Sequence, residues 1–225
     1  MKILDLFAGK GGELRRAEIE SLGHEYITMD YDEYFGCDIS ADIFSLSPDM
    51  LREWHGSFDF VWASPPCEGF SVSSIGHHWN KDNTPKTEKA AYSVKLVKRT
   101  IWIIEGLNPF AWAMENPRGK LRKLPFMQEF QRWTVTYCQY GENRMKPTDI
   151  WGRIPGWNPR PACKAGDPCH ISAPRGSRTG TQGMGSYADK SIVPIELWLE
   201  ILDALENPQP TINQPSLFER RKQHG

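Results

Sequence analysis

The chain opens with Lys2-Ile3-Leu4-Asp5-Leu6-Phe7-Ala8-Gly9-Lys10-Gly11-Gly12, KILDLFAGKGG. KILDLF is continuously apolar apart from Asp5, as expected for a strand in a covered sheet. GGELRRAEIESLG (11–23) then reads as a helix, with Leu14, Ala17 and Leu22 on its buried side and Gly23 as its stop. Between them, DLFAGKGG (5–12) is a glycine-rich turn. Glycines let backbone come close to a ligand, and a helix N-terminus favours negative charge. Taken alone, such a loop is equally a tight strand-to-helix turn.

Outward from this unit the same alternation repeats. HEYITMDYD (24–32) is a strand, and SPDMLREWHG (47–56) a helix capped by Ser47 with Pro48 at its first position. FDFVWAS (58–64) is a third strand. Residues 86–107 form a long helix, with Val94, Val97, Ile101 and Ile104 at helical spacing and Lys95, Lys98 and Arg99 elsewhere. PFAWAMENP (109–117) is a fourth strand. Alternation of this kind predicts an α/β fold, a mostly parallel sheet with helices on both faces. Ligands in such sheets bind at the carboxyl ends of strands.

Beyond residue 133 the pattern changes. WTVTYCQYG (133–141) and TDIWGRI (148–154) are expected to form an antiparallel pair, and VPIELWLEILDAL (193–205) a closing helix. Residues 155–187, rich in Pro, Gly, Arg and Ser, are expected as loop. Residues 207–225 are polar, carry three prolines and are expected to be a disordered tail. The expected organisation is one domain over 1–206, with 155–187 as an irregular insert and no internal repeats.

Composition excludes several classes. The 225 residues, 39% hydrophobic and 24% charged, suffice for one domain with a core. A net charge of -1 gives no global basic field for nucleic acid. No apolar stretch approaches a membrane span. Five cysteines with no signal peptide predict a reducing, cytoplasmic protein with free thiols.

Four further features sit at strand ends. Asp30 ends the second strand, where an acidic residue can bind ribose hydroxyls, and Asp38 follows in GCDIS. SPPCEGFS (64–71) places Cys67 on a stiff loop behind two prolines, which carry no N–H and end a ladder. A buried cysteine is most often inert, whereas a nucleophile needs thiolate character. Glu115, in AMENPRG (113–119), projects over the same sheet edge as Cys67.

On these residues the chain resembles the DNA (cytosine-5) methyltransferase family, in a short form. DLFAGKGG matches the donor-binding motif, SPPCEGFS the catalytic Pro-Cys loop and ENPRG the Glu-Asn motif, in the family's order and spacing. The match covers residues 1 to about 150 and resumes around 173–206. The resemblance implies a Rossmann-like S-adenosylmethionine-dependent methyltransferase fold. It also implies transfer of a methyl group to C5 of cytosine in DNA through a covalent adduct of Cys67 with C6, with Glu115 bound to N3 and the exocyclic amine. The target base must leave the stack to be reached. The same resemblance assigns Asp5, Phe7, Ala8, Gly9, Gly11, Gly12, Asp30, Asp38, Pro66 and Ser191 to the donor pocket, and Ser71 to DNA.

The chain departs from the family in three places. In YGENRMKPTDIW (140–151), Lys146 and Thr148 stand where the family has two arginines, and Lys146 is expected to contact the base or a phosphate. Only a short stretch separates DIWGRI from APRGSRTGTQG, where the family inserts a large target-recognition domain. A relaxed context of about two to four bases follows from so few contacts. In DKSIVP (189–194), Lys190 and Ser191 replace a Gly-Asn pair, and a cation there would suit a carboxylated S-adenosylmethionine derivative as donor. The same motifs are also compatible with RNA as substrate, and with a non-catalytic nucleic-acid-binding remnant, although a remnant has no need of Cys67 and Glu115.

Three secondary signals remain. RGKLRK (118–123) puts Arg118, Lys120, Arg122 and Lys123 on the active-site edge as phosphate contacts, against the plainer reading of a solvated loop. Arg175, Arg178 and Lys190 are candidates for the same surface. CKAGDPCH (163–170) offers Cys163, Cys169 and His170 as zinc ligands with Cys138 as a fourth, or else free thiols, since the spacing is not a standard one. QPSLF (Gln214–Phe218) resembles the bacterial sliding-clamp-binding motif, or is a tail that folds back. The protein is otherwise expected to be a monomer.

Overall fold

In the computed structural model, which describes residues 1–71, 75–171 and 191–207, Lys2–Leu6 forms β1 at the centre of a sheet. Strand β2 (Glu25–Asp30) pairs with it on one side and β4 (Phe60–Ala63) on the other, both parallel. With neighbours on both edges and helices on both faces, β1 is buried from Ile3 to Leu6, which explains a run that is apolar apart from Asp5. The described strands form one seven-stranded sheet in the order β3-β2-β1-β4-β5-β7-β6, completed by β3 (Ile39–Ser40), β5 (Ala111–Pro117), β6 (Arg132–Thr136) and β7 (Pro147–Arg153). Only β7 runs against its neighbours, antiparallel to both β5 and β6. The expected α/β fold with a mostly parallel sheet holds.

Successive residues of each central strand point to opposite faces. Leu4, Leu6, Val61, Ala63 and Met114 meet α2 (Pro48–His55) and α4 (Glu88–Leu107) through Leu51, Val97 and Ile104. Ile3, Phe60, Trp62 and Ala113 meet α1 (Gly9–Ser21) and α5 (Ile195–Glu206) through Ile19, Leu197, Trp198 and Ile201. The remaining helix, α3 (Ile75–His78), is one turn near the Cys67 loop. Local signals account for the starts and stops. Ser47 Oγ accepts from Met50 N at 3.2 Å with Pro48 following, and Thr87 Oγ1 accepts from Ala90 N at 3.3 Å. Helix α4 ends at Asn108 in the left-handed conformation.

Several expectations are corrected. Leu14, Ala17 and Leu22 lie on the exposed side of α1, and its buried face is Gly11, Gly12, Arg15 and Ile19. The cause is Arg15, whose guanidinium donates to Asp5 Oδ2 at 2.6 Å and to the Tyr26 hydroxyl at 3.3 Å and stacks 4.9 Å from the Trp198 ring centroid. Apolar periodicity cannot detect a buried face built around a cation. In α4, Val97 and Ile104 are buried but Val94 and Ile101 only half-buried, and Ser93 and Thr100 complete the face. The two-residue β3 is too short to leave a periodic signal in the sequence. Residues Tyr137–Tyr140 leave the expected strand as a 3-10 turn. Residues 172–187 of the expected insert and 208–225 of the expected tail lie outside the described residues. No described helix is long and apolar enough to cross a membrane.

Candidate active site

The β1–α1 turn is built by one unusual backbone conformation and one carboxylate. Phe7 sits at φ 63° and Gly9 at φ 49°. A left-handed phenylalanine costs about 1–2 kcal/mol, a strain found mostly at functional turns. Asp30, at the end of β2, accepts from Gly9 N at 3.0 Å and Asp32 N at 3.1 Å, so it pins the turn from below. Burial raises its pKa, and hydrogen bonds from the backbone of Asp32, Gly9 and Tyr31 oppose that rise. Gly12 has no room for a side chain, since a Cβ would lie 2.8 Å from Ala8 Cβ and 3.1 Å from Thr28 Cγ2. The helix therefore seats directly on β2.

Two of the expected donor-pocket carboxylates are otherwise engaged. Asp5 is fully buried and bonded to Arg15 and Tyr26, beneath the turn rather than on its surface. Asp38 Oδ2 accepts from Thr28 N and Oγ1 at 2.8 Å each and pairs with Arg16 at 2.6 Å, bracing β2 against α1. Ala8 is buried, Phe7 is half-buried, and Pro66 and Ser191 are exposed.

The Cys67 loop leaves β4 and is held from three sides. Ser64 N donates to Leu6 O at 3.0 Å, prolonging the sheet by one residue. Asn116 Nδ2 donates to Pro65 O at 2.9 Å. Beyond the cysteine, Phe70 N returns to Cys67 O at 2.9 Å, Trp79 Nε1 donates to Gly69 O at 2.7 Å and Lys120 N to Phe70 O at 2.8 Å. A Cβ at Gly69 would strike Ser93, and one at Gly119 would strike the Phe70 carbonyl. Both glycines are places where backbone is pressed against its neighbour.

Cys67, Glu115 and Lys146 share one electrostatic environment. Burial raises the Cys67 thiol pKa and the charge of Glu115 raises it further, while Lys146 lowers it. Burial also raises the Glu115 carboxyl, opposed by Lys146 and by the Tyr137 hydroxyl, which donates to Glu115 Oε1 at 2.9 Å. Lys146, itself buried, lies 4.5 Å from the Tyr137 ring centroid. The order β5-β7-β6 brings them together: β5 carries Glu115, the approach to β7 carries Lys146, and the turn after β6 carries Tyr137.

Tyr137 and Asn116 are site residues that sequence reasoning missed. Tyr137 stands inside an apparent strand, and nothing in its spacing marks it. Asn116 lies in the ENPRG motif, where its place before Pro117 marks only the end of a strand.

The cationic RGKLRK stretch is divided by the fold. Arg118 and Lys123 are exposed. Lys120 is turned inward, with Nζ donating to Asn83 Oδ1 at 2.7 Å and lying 5.1 Å from the Trp79 ring centroid. Arg122 donates from Nε to Asp149 Oδ2 at 2.8 Å and from a terminal nitrogen to Asp149 Oδ1 and Thr134. Lys120 and Arg122 therefore brace the loop and sheet rather than stand open for the phosphate contacts expected of them. Ser71 is half-buried at the end of the Cys67 loop. Arg175, Arg178 and Lys190 lie outside the described residues. Cys138, Cys163, Cys169 and His170 do come together, with ligand atoms all within 4.8 Å of one another.

A protein of Frog virus 3 (isolate Goorha) named "Probable DNA (cytosine-5)-methyltransferase" is 30% identical over 175 residues, spanning 75% of this chain and 78% of that protein. The chain belongs to the DNA (cytosine-5) methyltransferase family. No family model matches it. Among solved structures, the Dnmt2 methyltransferase of S. pombe aligns with a TM-score of 0.41 at 12% identity, over 72% of this chain and 51% of that one. The chain thus spans about half the length of that structure.

Membership in a methyltransferase family implies S-adenosylmethionine as donor, and the β1–α1 turn fits such a ligand. Strained Phe7, the Gly9 backbone and the Asp30 carboxylate gather at one strand end beside an unobstructed glycine: the nearest atom to a Cβ at Gly9 would be Asp30 Oδ2, at 3.9 Å.

Proposed function

We propose that this protein transfers a methyl group from S-adenosylmethionine to C5 of cytosine in DNA, with Cys67 as nucleophile and Glu115 as proton donor to the base. The observation that carries the proposal is the electrostatic coupling of half-buried Cys67 to the buried Glu115 and Lys146. Phe7, Ala8, Gly9, Asp30 and Pro66 would hold the donor; Asp5, Asp38, Gly11 and Gly12 support the turn from beneath. Bound S-adenosylmethionine supplies an electrophilic methyl to C5.

The chain's own groups account for the rest. Cytosine C6 accepts a nucleophile when N3 is protonated. Burial raises the Glu115 carboxyl, which brings it closer to N3 in basicity and suits it to share a proton with N3, and Tyr137 keeps it oriented. With cytosine bound, the proton shared between Glu115 and N3 offsets the carboxylate charge that otherwise opposes ionisation of Cys67, and Lys146 favours the thiolate. The thiol is thus quiescent until a base arrives. Sulfur bonds to C6, the C5–C6 π electrons move to make C5 nucleophilic, and N3 takes the Glu115 proton. After C5 has been methylated, a base removes its proton. The double bond re-forms, the thiolate leaves, and the N3 proton returns to Glu115.

Exposed Arg118 and Lys123 would contact phosphates, and Ser71 the strand beside the flipped base. The short span between β7 and α5 supports a context of about two to four bases. The test supplies labelled donor with duplex DNA and, separately, folded RNA, and identifies the product base by mass and position. 5-Methylcytosine in DNA, together with a covalent complex at Cys67 on DNA carrying 5-fluorocytosine, is expected, because fluorine cannot leave as a cation. Methylation of RNA alone would overturn the DNA assignment, and a carboxylated product base the plain methyl donor.

A further inference from the structure

We infer that Cys138, Cys163, Cys169 and His170 bind one structural zinc ion, which fastens the irregular segment after β7 to the catalytic sheet. Three of the four residues lie in a stretch without regular secondary structure, and the fourth belongs to the turn after β6. They are nonetheless gathered on one point. Cys138 Sγ lies 3.0 Å from Cys163 Sγ and 3.7 Å from Cys169 Sγ. His170 Nδ1 lies 3.7 Å from Cys163 Sγ and 3.6 Å from Cys169 Sγ. A tetrahedral zinc with Zn–S of ~2.3 Å and Zn–N of ~2.0 Å has ligand-to-ligand edges of about 3.5–3.8 Å. Three of these separations match such edges, and the fourth needs to open by less than ~1 Å.

The backbone is shaped for the task. Between Cys163 and Cys169 the chain reverses in a turn closed by Asp167 N to Lys164 O at 3.1 Å and Lys164 N to Asp167 Oδ2 at 2.6 Å. Gly166, at φ 96°, occupies the position in that turn that a side chain would strain. The reversal points both thiols to the same side. Surrounding polar groups orient the ligands: Gln139 Nε2 donates to Cys169 Sγ at 3.3 Å, and Thr136 Oγ1 accepts from Cys163 N at 2.9 Å. Three thiolates and one imidazole fill all four positions, which is a closed, structural site rather than a catalytic one. A disulfide between Cys138 and Cys163 would leave the convergence of Cys169 and His170 without a reason.

The location gives the ion a consequence. Cys138 directly follows Tyr137, whose hydroxyl holds Glu115. At the other end of the segment, Ile171 N donates to Asn143 O at 2.8 Å, in the loop that leads to Lys146. The metal would therefore steady both sides of the Glu115–Lys146 pair.

Elemental analysis of the full chain, purified under reducing conditions, is expected to find one zinc per protein. Cobalt added to the chelator-treated chain should give the intense visible spectrum of tetrahedral thiolate coordination. Cys169→Ser and His170→Ala should each weaken cobalt binding more than about 100-fold. His170→Cys should still bind, with the charge-transfer absorption of four thiolates in place of three, and Cys37→Ser should behave as wild type. Because the cobalt titration is made on the unsubstituted chain, failure of a variant to fold does not obscure it. A folded, reduced chain that contains no zinc and gives no tetrahedral cobalt spectrum would overturn the inference. So would equal loss of metal in Cys37→Ser.

Discussion

Asn116 Nδ2 donates to the carbonyl oxygen of Pro65 across 2.9 Å, joining the strand that carries Glu115 to the loop that carries Cys67. Asn116 is fully buried and Pro65 is buried beside it. This one bond links the residue after the acid to the residue two before the nucleophile. Asn116→Ala should cost about 1–3 kcal/mol of stability, the expense of leaving a buried carbonyl unpaired. It should also lower kcat more than it changes donor affinity. Asn116→Asp, which places an acceptor against an acceptor, should be worse on both measures. Urea midpoints and initial rates decide it, and an unchanged kcat in Asn116→Ala would remove the positioning role.

Cys67→Ala and Cys67→Ser should retain donor binding and lose at least about 10³-fold in kcat, as expected for removal of a covalent nucleophile. Equilibrium dialysis of labelled donor and single-turnover methyl transfer measure the two effects separately. Full transfer by either variant is the outcome that sinks the covalent route.

The pH dependence of Cys67 alkylation reports its environment. A thiol raised by burial and by Glu115 ionises above the usual thiol range, so peptide-resolved alkylation should be slow at neutral pH and rise only in alkaline buffer. Glu115→Gln removes the like charge and should move the rise to lower pH. Lys146→Met removes the opposing charge and should move it higher. Opposite signs in the two variants are the signature, and a shift of both in one direction would show that the three groups do not interact as described.

Gly119 is a packing position rather than a hinge. A Cβ there would collide with the Phe70 carbonyl in the Cys67 loop. Gly119→Ala should cost about 1–3 kcal/mol and displace the loop, lowering kcat while DNA affinity holds. Thermal unfolding and filter binding test the two halves of that statement.

The two kinds of cation in residues 118–123 should respond differently to neutralisation. Lys123→Gln should leave stability within about 0.5 kcal/mol and flatten the slope of log K against log salt by about 0.9, one phosphate contact. Arg122→Gln should destabilise by about 3 kcal/mol, because it strands the fully buried Asp149 carboxylate. A stable Arg122→Gln protein with reduced salt dependence would reverse this division of roles.

Much of the fold was legible because parallel strands covered on both faces must be apolar throughout, and their connecting helices must alternate with them. KILDLF, FDFVWAS and PFAWAMENP carried that signal, and the Ser47–Pro48 start of α2 carried its own. Cys67 and Glu115 were legible as candidates because Pro-Pro and Asn-Pro mark where strands end. The buried face of α1 was not, since it is organised by the Arg15–Asp5 pair and a cation counts as polar wherever it lies. Tyr137 was hidden for a similar reason: a hydroxyl bonded to a carboxylate 22 positions earlier leaves no trace in local spacing.

The sequence alone determined the order of strands and helices, the turns that expose a thiol and a carboxylate at one sheet edge, and membership of a recognisable family. These are local properties, set by side-chain period, proline and glycine. Only the tertiary structure decided which charges work and which brace. Reversal of β7 against β5 and β6 sets Asp149 opposite Thr134, with Arg122 clamped on both. It also brings Lys146 beside Glu115 and leaves Cys138 facing three ligands from a segment 25 to 32 residues further along. Such meetings depend on strand register across long sequence separations, where the free energy lies in burial and pairing rather than in any residue's own preference.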